Sequence, residues 1–480
     1  MGSIRMAVMF SALTRFTMRF IGMASTIAIA RLLTPEEIGT YAIASAIVML
    51  LMEIRLLGAG NFLVRESQID EDCVRSALGL TVLICGTLGV AILAASIPVA
   101  NFYGISDLAP IFALLSISFF VAPYISIPIA LLSRDLAFGV QFYVRVAASI
   151  VNAVAGISLI LLGYSYFSLA IAQTLSALTQ FVILLWIRPE GMRYIPRFKG
   201  MKPIARFGIF TSLAHLVRKA QVALPDMIIG KMGTTGQVGM FSRGLGFVQF
   251  LSQTVFSSIQ PVVLPYMAKS RREAGRVREA YLKASVLTGA ILIPVLGVAS
   301  LSSLPAIRFM FGDQWDAAAP VAAWLAIWAM LRSVHWFASD MLMAIGREGL
   351  MLVRESLMFI LLIPTIIFLY PGGLESIAKG FALVGVVDLL LTTLVVNQIL
   401  RIGLMDFVRA WLSTLVVLAC CLGVTLMVLA VFPAATNPAW LVIGVEALVL
   451  PPVWLGMLML TRNPLYFEIR LGYQKIRRKK

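Results

Sequence analysis

A chain of 480 residues with 60% hydrophobic and only 13% charged residues would expose large apolar patches in water, which soluble monomers rarely tolerate. Its mean hydropathy of +0.94 fits lipid as the solvent, where the backbone must satisfy its own hydrogen bonds and only helices or closed barrels span. The net charge of +16 does not mark a nucleic-acid binder, because the cations lie between apolar segments and at the C-terminus.

The apolar segments run about 20 residues, the length of a spanning helix rather than a barrel strand. They predict an all-α polytopic membrane protein of about 14 transmembrane helices, at 8–30, 39–62, 76–98, 108–132, 141–162, 167–187, 207–230, 239–263, 281–304, 318–342, 351–370, 378–400, 410–432 and 440–461. The first is a retained helix: Ala28-Ile29-Ala30 resembles a cleavage site, but Arg15 and Arg19 interrupt the apolar run a signal peptide needs. At 207–230 and 239–263, polar residues and glycines thin the pattern.

Lys and Arg in the connections set the orientation. The outward connections carry only Arg31, Lys231, Arg308 and Lys379. Nearly all other connection cations lie on the N-terminal side, so both termini are expected in the cytoplasm and the number of spans is even. Two connections are long and basic, Arg188 to Arg206 and Lys269 to Lys283. The stretch Ser270 to Leu282 suits a short amphipathic helix on the inner leaflet. Topology signals on an anionic surface explain this charge more simply than a partner site. The four cysteines, Cys73, Cys85, Cys420 and Cys421, lack metal-ligand spacing and read as small core residues.

An internal repeat follows. The first outward connection, Ala30-Arg31-Leu32-Leu33-Thr34-Pro35-Glu36-Glu37-Ile38-Gly39-Thr40-Tyr41, aligns without a gap on Gly230-Lys231-Met232-Gly233-Thr234-Thr235-Gly236-Gln237-Val238-Gly239-Met240-Phe241. Phe102-Tyr103-Gly104 and Ala109-Pro110 echo Met310-Phe311-Gly312 and Ala319-Pro320; Arg134-Asp135 echoes Arg347-Glu348. A duplicated six-helix unit leaves such a trace, and six being even, both copies share one orientation. The expected organisation is a six-helix lobe at 1–187, a basic cytoplasmic linker at 188–206, a second six-helix lobe at 207–400, two additional helices at 401–461 and a basic cytoplasmic tail at 462–480.

Charges inside spanning helices are costly and are functional candidates by default. Arg15 and Arg19 sit one turn apart in the first segment; at the repeat offset they fall on His215 and Lys219, with Arg218 adjacent. A cavity with cations at equivalent depth in both lobes suits an anion. The plainer readings make Arg15 and Arg19 topology signals, His215 a packing residue, and Arg218 and Lys219 snorkelling cations. Asp226, Asp340 and Asp388 are candidates for carrying a coupling proton or sodium ion, with structural ion pairs as the alternative. Arg145 is placed near the interface. No Walker A loop and no His/Cys/Asp metal cluster occur in the sequence, so neither cofactor nor metal is expected. Asp313 and Asp316, flanking Trp315, form too short a connection for an active site.

Three stretches carry a resemblance: Ala30 to Tyr41, Leu132-Ser133-Arg134-Asp135-Leu136 and Phe311-Gly312-Asp313-Gln314-Trp315. In them the chain resembles the Wzx-type polysaccharide flippases of the multidrug/oligosaccharidyl-lipid/polysaccharide exporter superfamily, nearest the exopolysaccharide and colanic-acid-like branch. The resemblance extends over most of 5–400 and fades beyond. It implies translocation of an undecaprenyl-pyrophosphate-linked oligosaccharide across the bacterial inner membrane by alternating access, coupled to an ion gradient. A diphosphate would suit the cations named above. A drug antiporter of the same superfamily would favour acids in its cavity; a peptidoglycan-precursor flippase would share the basic one. A membrane-bound glycan polymerase or ligase is disfavoured by the short outward connections.

Overall fold

In the computed structural model the described residues are 2–55, 59–66, 68–187, 189, 194–272 and 277–477. By packing, the chain divides into two compact units, Met1–Gly239 and Met240–Lys480. Every regular element among the described residues is helical, as lipid demands of a backbone with no other hydrogen-bond partner. By length and composition nine of these helices are apolar enough to cross a membrane, or up to ten if one bent pair is a single span.

The first unit contains α1 (Gly2–Leu32), α2 (Pro35–Arg55), α3 (Ala59–Arg65), α4 (Glu71–Tyr103), α5 (Leu108–Val121), α6 (Pro123–Arg134), α7 (Phe138–Leu161), α8 (Phe167–Ile187) and α9 (Lys202–Met232), and α10 (Thr235–Arg272) starts in it. The helices α7 and α8 form an antiparallel pair, α1 packs on α7, α4 on α5, and α9 on α2. Buried Leu63, Leu78, Ile127 and Leu131 join α3, α4 and α6. The Asp70 carboxylate caps α4 by accepting from the Cys73 N–H at 2.8 Å. Between α5 and α6 the axis bends by 44°, where Pro123 removes a backbone donor.

The basic connection between α8 and α9 is anchored where it is described. The Ser76 hydroxyl donates to the Lys199 carbonyl at 2.7 Å, Arg75 Nε to the Ile195 carbonyl at 3.2 Å, and Arg197 pairs with Asp72. Only glycine fits at position 79, since a Cβ there would stand 2.1 Å from the Arg197 carbonyl oxygen.

The second unit contains the rest of α10 and α11 (Val277–Leu301), α12 (Ser303–Phe311), α13 (Ala318–Ser333), α14 (Ala338–Ala344), α15 (Glu348–Leu369), α16 (Gly373–Leu400), α17 (Leu404–Val431), α18 (Ala439–Leu460) and α19 (Pro464–Arg477). The pairs α13–α16, α11–α13 and α11–α17 form its body, and α18 lies on α17. The Trp454 indole N–H donates to the Ala290 carbonyl at 2.9 Å, tying α18 to α11.

Two stretches are helical beyond what composition shows. Of the stretch from Ser270 to Leu282, the described residues belong to two long helices: α10 runs to Arg272 and α11 begins at Val277, with Val277, Ala280 and Tyr281 buried; 273–276 lie outside the described residues. Burial of that apolar side makes 277–282 part of a packed helix. The tail from 462, expected only as a basic extension, folds as α19 through Arg477. Asn463 is buried, and its side chain donates to Ser413 at 2.9 Å and accepts from the Leu465 N–H at 3.0 Å. Pro464 then supplies a helix start that needs no donor, and Lys283 holds Glu468 at 2.6 Å.

The two stretches aligned at the repeat offset fold alike. The Thr34 N–H donates to Glu37 at 2.8 Å and the Glu37 N–H to the Thr34 hydroxyl at 3.3 Å. The Thr234 N–H donates to Gln237 at 3.1 Å and the Gln237 N–H to the Thr234 hydroxyl at 3.3 Å. Each is a reciprocal capping box, starting α2 and α10. The two helix starts then touch backbone to backbone within the first unit. A Cβ at Gly39 would lie 1.7 Å from the Thr235 carbonyl oxygen, and one at Gly239 would lie 2.1 Å from that of Pro35. Beside them, the Tyr103 hydroxyl donates to the Met227 carbonyl at 3.2 Å and the Lys231 ammonium sits 4.2 Å above the Phe102 ring. This contact carries α9 into the first unit.

Candidate functional site

The cations singled out in the first unit lie on two long helices. In α1, Arg15 is exposed and reaches back one turn, its Nε donating to the Ser11 carbonyl and a terminal nitrogen to the Ser11 hydroxyl, both at 3.3 Å. Arg19, one turn on, is half-buried. In α9, Arg218 is half-buried and Lys219 exposed. His215 lies in the same helix, but its side chain lies outside the described residues. These pairs share a helix as the spacing requires, while α1 and α9 take different main partners, α7 and α2. Asp226, two turns beyond Lys219 on α9, has one carboxylate oxygen buried without a hydrogen bond among the described residues.

The acids of the second unit have a different setting. Asp388 on α16 is buried, and Arg354 of α15 grips it with Nε and a terminal nitrogen, each at 2.9 Å. Arg332 of α13 approaches the same carboxylate at 3.3 Å, and the Thr392 hydroxyl donates to it at 3.0 Å. Buried Glu355 takes the remaining charge, 3.6 Å from Arg332 and 3.4 Å from Arg354. Two guanidiniums thus face two carboxylates. Planar forks suit such paired oxygens, and pairing with two half-buried guanidiniums is what makes burial of the two carboxylates tolerable. His335 is satisfied separately, with Nδ1 2.7 Å from the Tyr281 hydroxyl and Nε2 2.8 Å from that of Thr393. Asp340 lies in the first turn of α14 and is half-buried.

Sequence reasoning singled out Asp388 but named no partner for it and passed over Arg354 and Glu355. The usable signal was an acid and a threonine at i and i+4 on α16, level with an adjacent Arg-Glu on the preceding helix. Seeing it required knowing that α15 and α16 pack as an antiparallel pair.

The sequence profile of a family described as "Polysaccharide biosynthesis protein" matches residues 28–320. The succinoglycan biosynthesis transport protein ExoT of Rhizobium meliloti is 23% identical over 300 residues, 62% of this chain and 60% of that protein; the chain thus matches under two thirds of that relative. The teichuronic acid biosynthesis protein TuaB of Bacillus subtilis is 22% identical over 76% of each chain. The lipopolysaccharide biosynthesis protein WzxC of Escherichia coli is 22% identical over 80% of this chain and 78% of its own. Among solved structures, the lipid II flippase MurJ in an inward closed conformation superposes with a TM-score of 0.77 at 16% identity, covering 95% of this chain and 99% of that one. An inward-facing multidrug transporter of the MATE family gives 0.62 at 15% identity, covering 80% and 95%. These likenesses establish an all-α polytopic transporter fold.

Proposed function

The chain belongs to the polysaccharide biosynthesis protein family, and from that premise we propose that it is a flippase carrying a lipid-linked oligosaccharide from the inner to the outer leaflet for polysaccharide export. The observation that carries this reading is the placing of cations at repeat-equivalent positions of α1 and α9, with Arg15 and Lys219 exposed. A diphosphate is the anion they would suit. Arginine donates to phosphate oxygens in pairs and lysine acts as a point charge. Arg19, Arg218 and His215 complete the headgroup site. The polyprenyl tail stays in lipid while the sugar crosses in the aqueous cavity. Relatives named for succinoglycan, teichuronic acid and lipopolysaccharide support a glycan as the cargo.

The cycle is alternating access between lobes at 1–187 and 207–400, joined by the linker at 188–206, with 401–461 as two added helices and 462–480 as the tail. The matched capping boxes of α2 and α10 support the duplication. The protein resides in the bacterial inner membrane with both termini in the cytoplasm. A proton or sodium gradient drives it. Asp226, with a buried oxygen that has no hydrogen bond among the described residues, is the best-placed coupling acid; Asp388 is held by two arginines, and Asp340 is a lesser candidate.

Arg15→Ala and Lys219→Ala should each abolish surface polymer while leaving the protein inserted at wild-type level, measured by polymer staining and membrane immunoblotting. Normal polymer in both variants refutes the headgroup site.

A further inference from the structure

The first unit holds a partly open cavity of about 410 Å³ whose lining includes Gly60, Thr81, Ser126, Ser133, Arg145 and Gln180. It shares no residue with the headgroup site proposed above. Ala122, where the axis bends between α5 and α6, also lines it. Irregular backbone at membrane depth is kept where it lines a cavity or is buried in protein.

The polar groups of this cavity divide into two kinds. The hydroxyls are engaged: Thr81 donates to the Ala77 carbonyl at 2.8 Å, Ser133 to that of Ile129 at 2.8 Å, and Ser126 to that of Pro123 at 3.4 Å. Arg145 and Gln180 are not, since among the described residues neither makes a hydrogen bond or an ion pair. They stand at one depth. The Ser176 hydroxyl donates to the Ala148 carbonyl at 3.0 Å across the α7–α8 pair, and Arg145 and Gln180 lie about one turn from that rung in the same direction.

The second unit settles its interior guanidiniums in two ways: Arg243 rests against the Phe311 and Trp315 rings, 5.6 and 5.4 Å from their centroids, its buried Nε without a hydrogen bond among the described residues, and the others pair with acids. Arg332 and Arg354 each face two carboxylates. Arg145 has none, although it sits seven residues into α7, roughly 10 Å from the helix start. Arg145 thus brings five N–H donors, and Gln180 a carboxamide, to the wall of one cavity, a donor set that suits an oxyanion.

We propose that this cavity is an oxyanion site for a phosphate group. Arg145 forks onto two of its oxygens and the Gln180 amide donates to a third. The phosphate comes either free from the cytoplasm or as the headgroup of an anionic phospholipid.

The test is calorimetric titration of the purified full-length chain with inorganic phosphate and, separately, with dihexanoyl phosphatidate. Saturable binding of at least one is expected, weakened at least tenfold by Arg145→Gln, several-fold by Gln180→Leu, and less than twofold by Arg470→Gln on the exposed tail helix. Binding of inorganic phosphate assigns the free anion, and binding of phosphatidate alone assigns the lipid. Binding of neither, or equal binding by Arg145→Gln, overturns the proposal. Should that variant fail to fold, Arg145→Lys keeps the charge and loses the fork; it should bind several-fold more weakly, and unchanged affinity overturns the proposal equally. Neither outcome bears on polymer export through Arg15 and Lys219.

Discussion

Arg354 and Asp388 meet through two contacts of 2.9 Å while Arg332 and Glu355 close the charge balance around them. Removing one member leaves the others buried and unequal. Asp388→Asn sets two guanidiniums against Glu355 alone, and loss of one partner of a buried pair costs about 3–5 kcal/mol. A marked fall in the melting temperature of the detergent-purified variant is expected. The double substitution Arg354→Met with Asp388→Leu should recover most of it, because an apolar pair of similar volume needs no counter-charge. A wild-type melting temperature for Asp388→Asn alone contradicts the network. The sequence marks Asp388 as an acid in an apolar segment, yet Arg354 passes there as one of the flanking cations of the segment at 351–370. Charge identity is written along the chain; which charge answers which depends on helix packing.

At the scale of elements, the repeat-related starts of α2 and α10 are the best-specified local structures in the molecule. Thr followed three residues later by Glu or Gln closes the same reciprocal cap in both, so their likeness is legible in the order of residues. That order does not reveal that the two caps press on one another through Gly39 and Gly239. Gly39→Val introduces a branched side chain whose Cβ alone would overlap the Thr235 carbonyl. The helix starts should separate, and a cysteine at Thr235 should be modified by a membrane-impermeant maleimide several-fold faster than in the Gly39 parent. Unchanged modification means that the contact is not retained in the membrane. The α19 helix is the converse case: its basic composition hid a helix start made by Asn463 and Pro464, a signal only two residues long.

For the whole molecule, the cation asymmetry of the connections predicts a topology that packing alone cannot assign. A fluorescent protein fused after Lys480 should fluoresce, and alkaline phosphatase inserted after Gly163 should be active, because the first folds in the cytoplasm and the second outside it. The reverse pair of results refutes the orientation. The packing units, Met1–Gly239 and Met240–Lys480, do not coincide with the lobes expected from the repeat. The reason is the contact of α9 with α2 and α4, which joins a helix to the unit it touches rather than to the lobe expected for it.

Hydrophobicity, segment length, capping and charge asymmetry are properties of residues near one another along the chain, and from them the sequence alone determined a helical membrane protein, the two matched helix caps and the residue types available for an anion. The tertiary structure decided the rest. It joined Asp388 to Arg354 and Arg332, set Gly39 against Thr235, and placed Arg145 beside a cavity with no carboxylate among its lining residues. In lipid, every spanning helix is apolar enough to satisfy its solvent, so composition hardly constrains which helices become neighbours. Neighbours alone determine whether a buried charge is already neutralised or is waiting for a ligand.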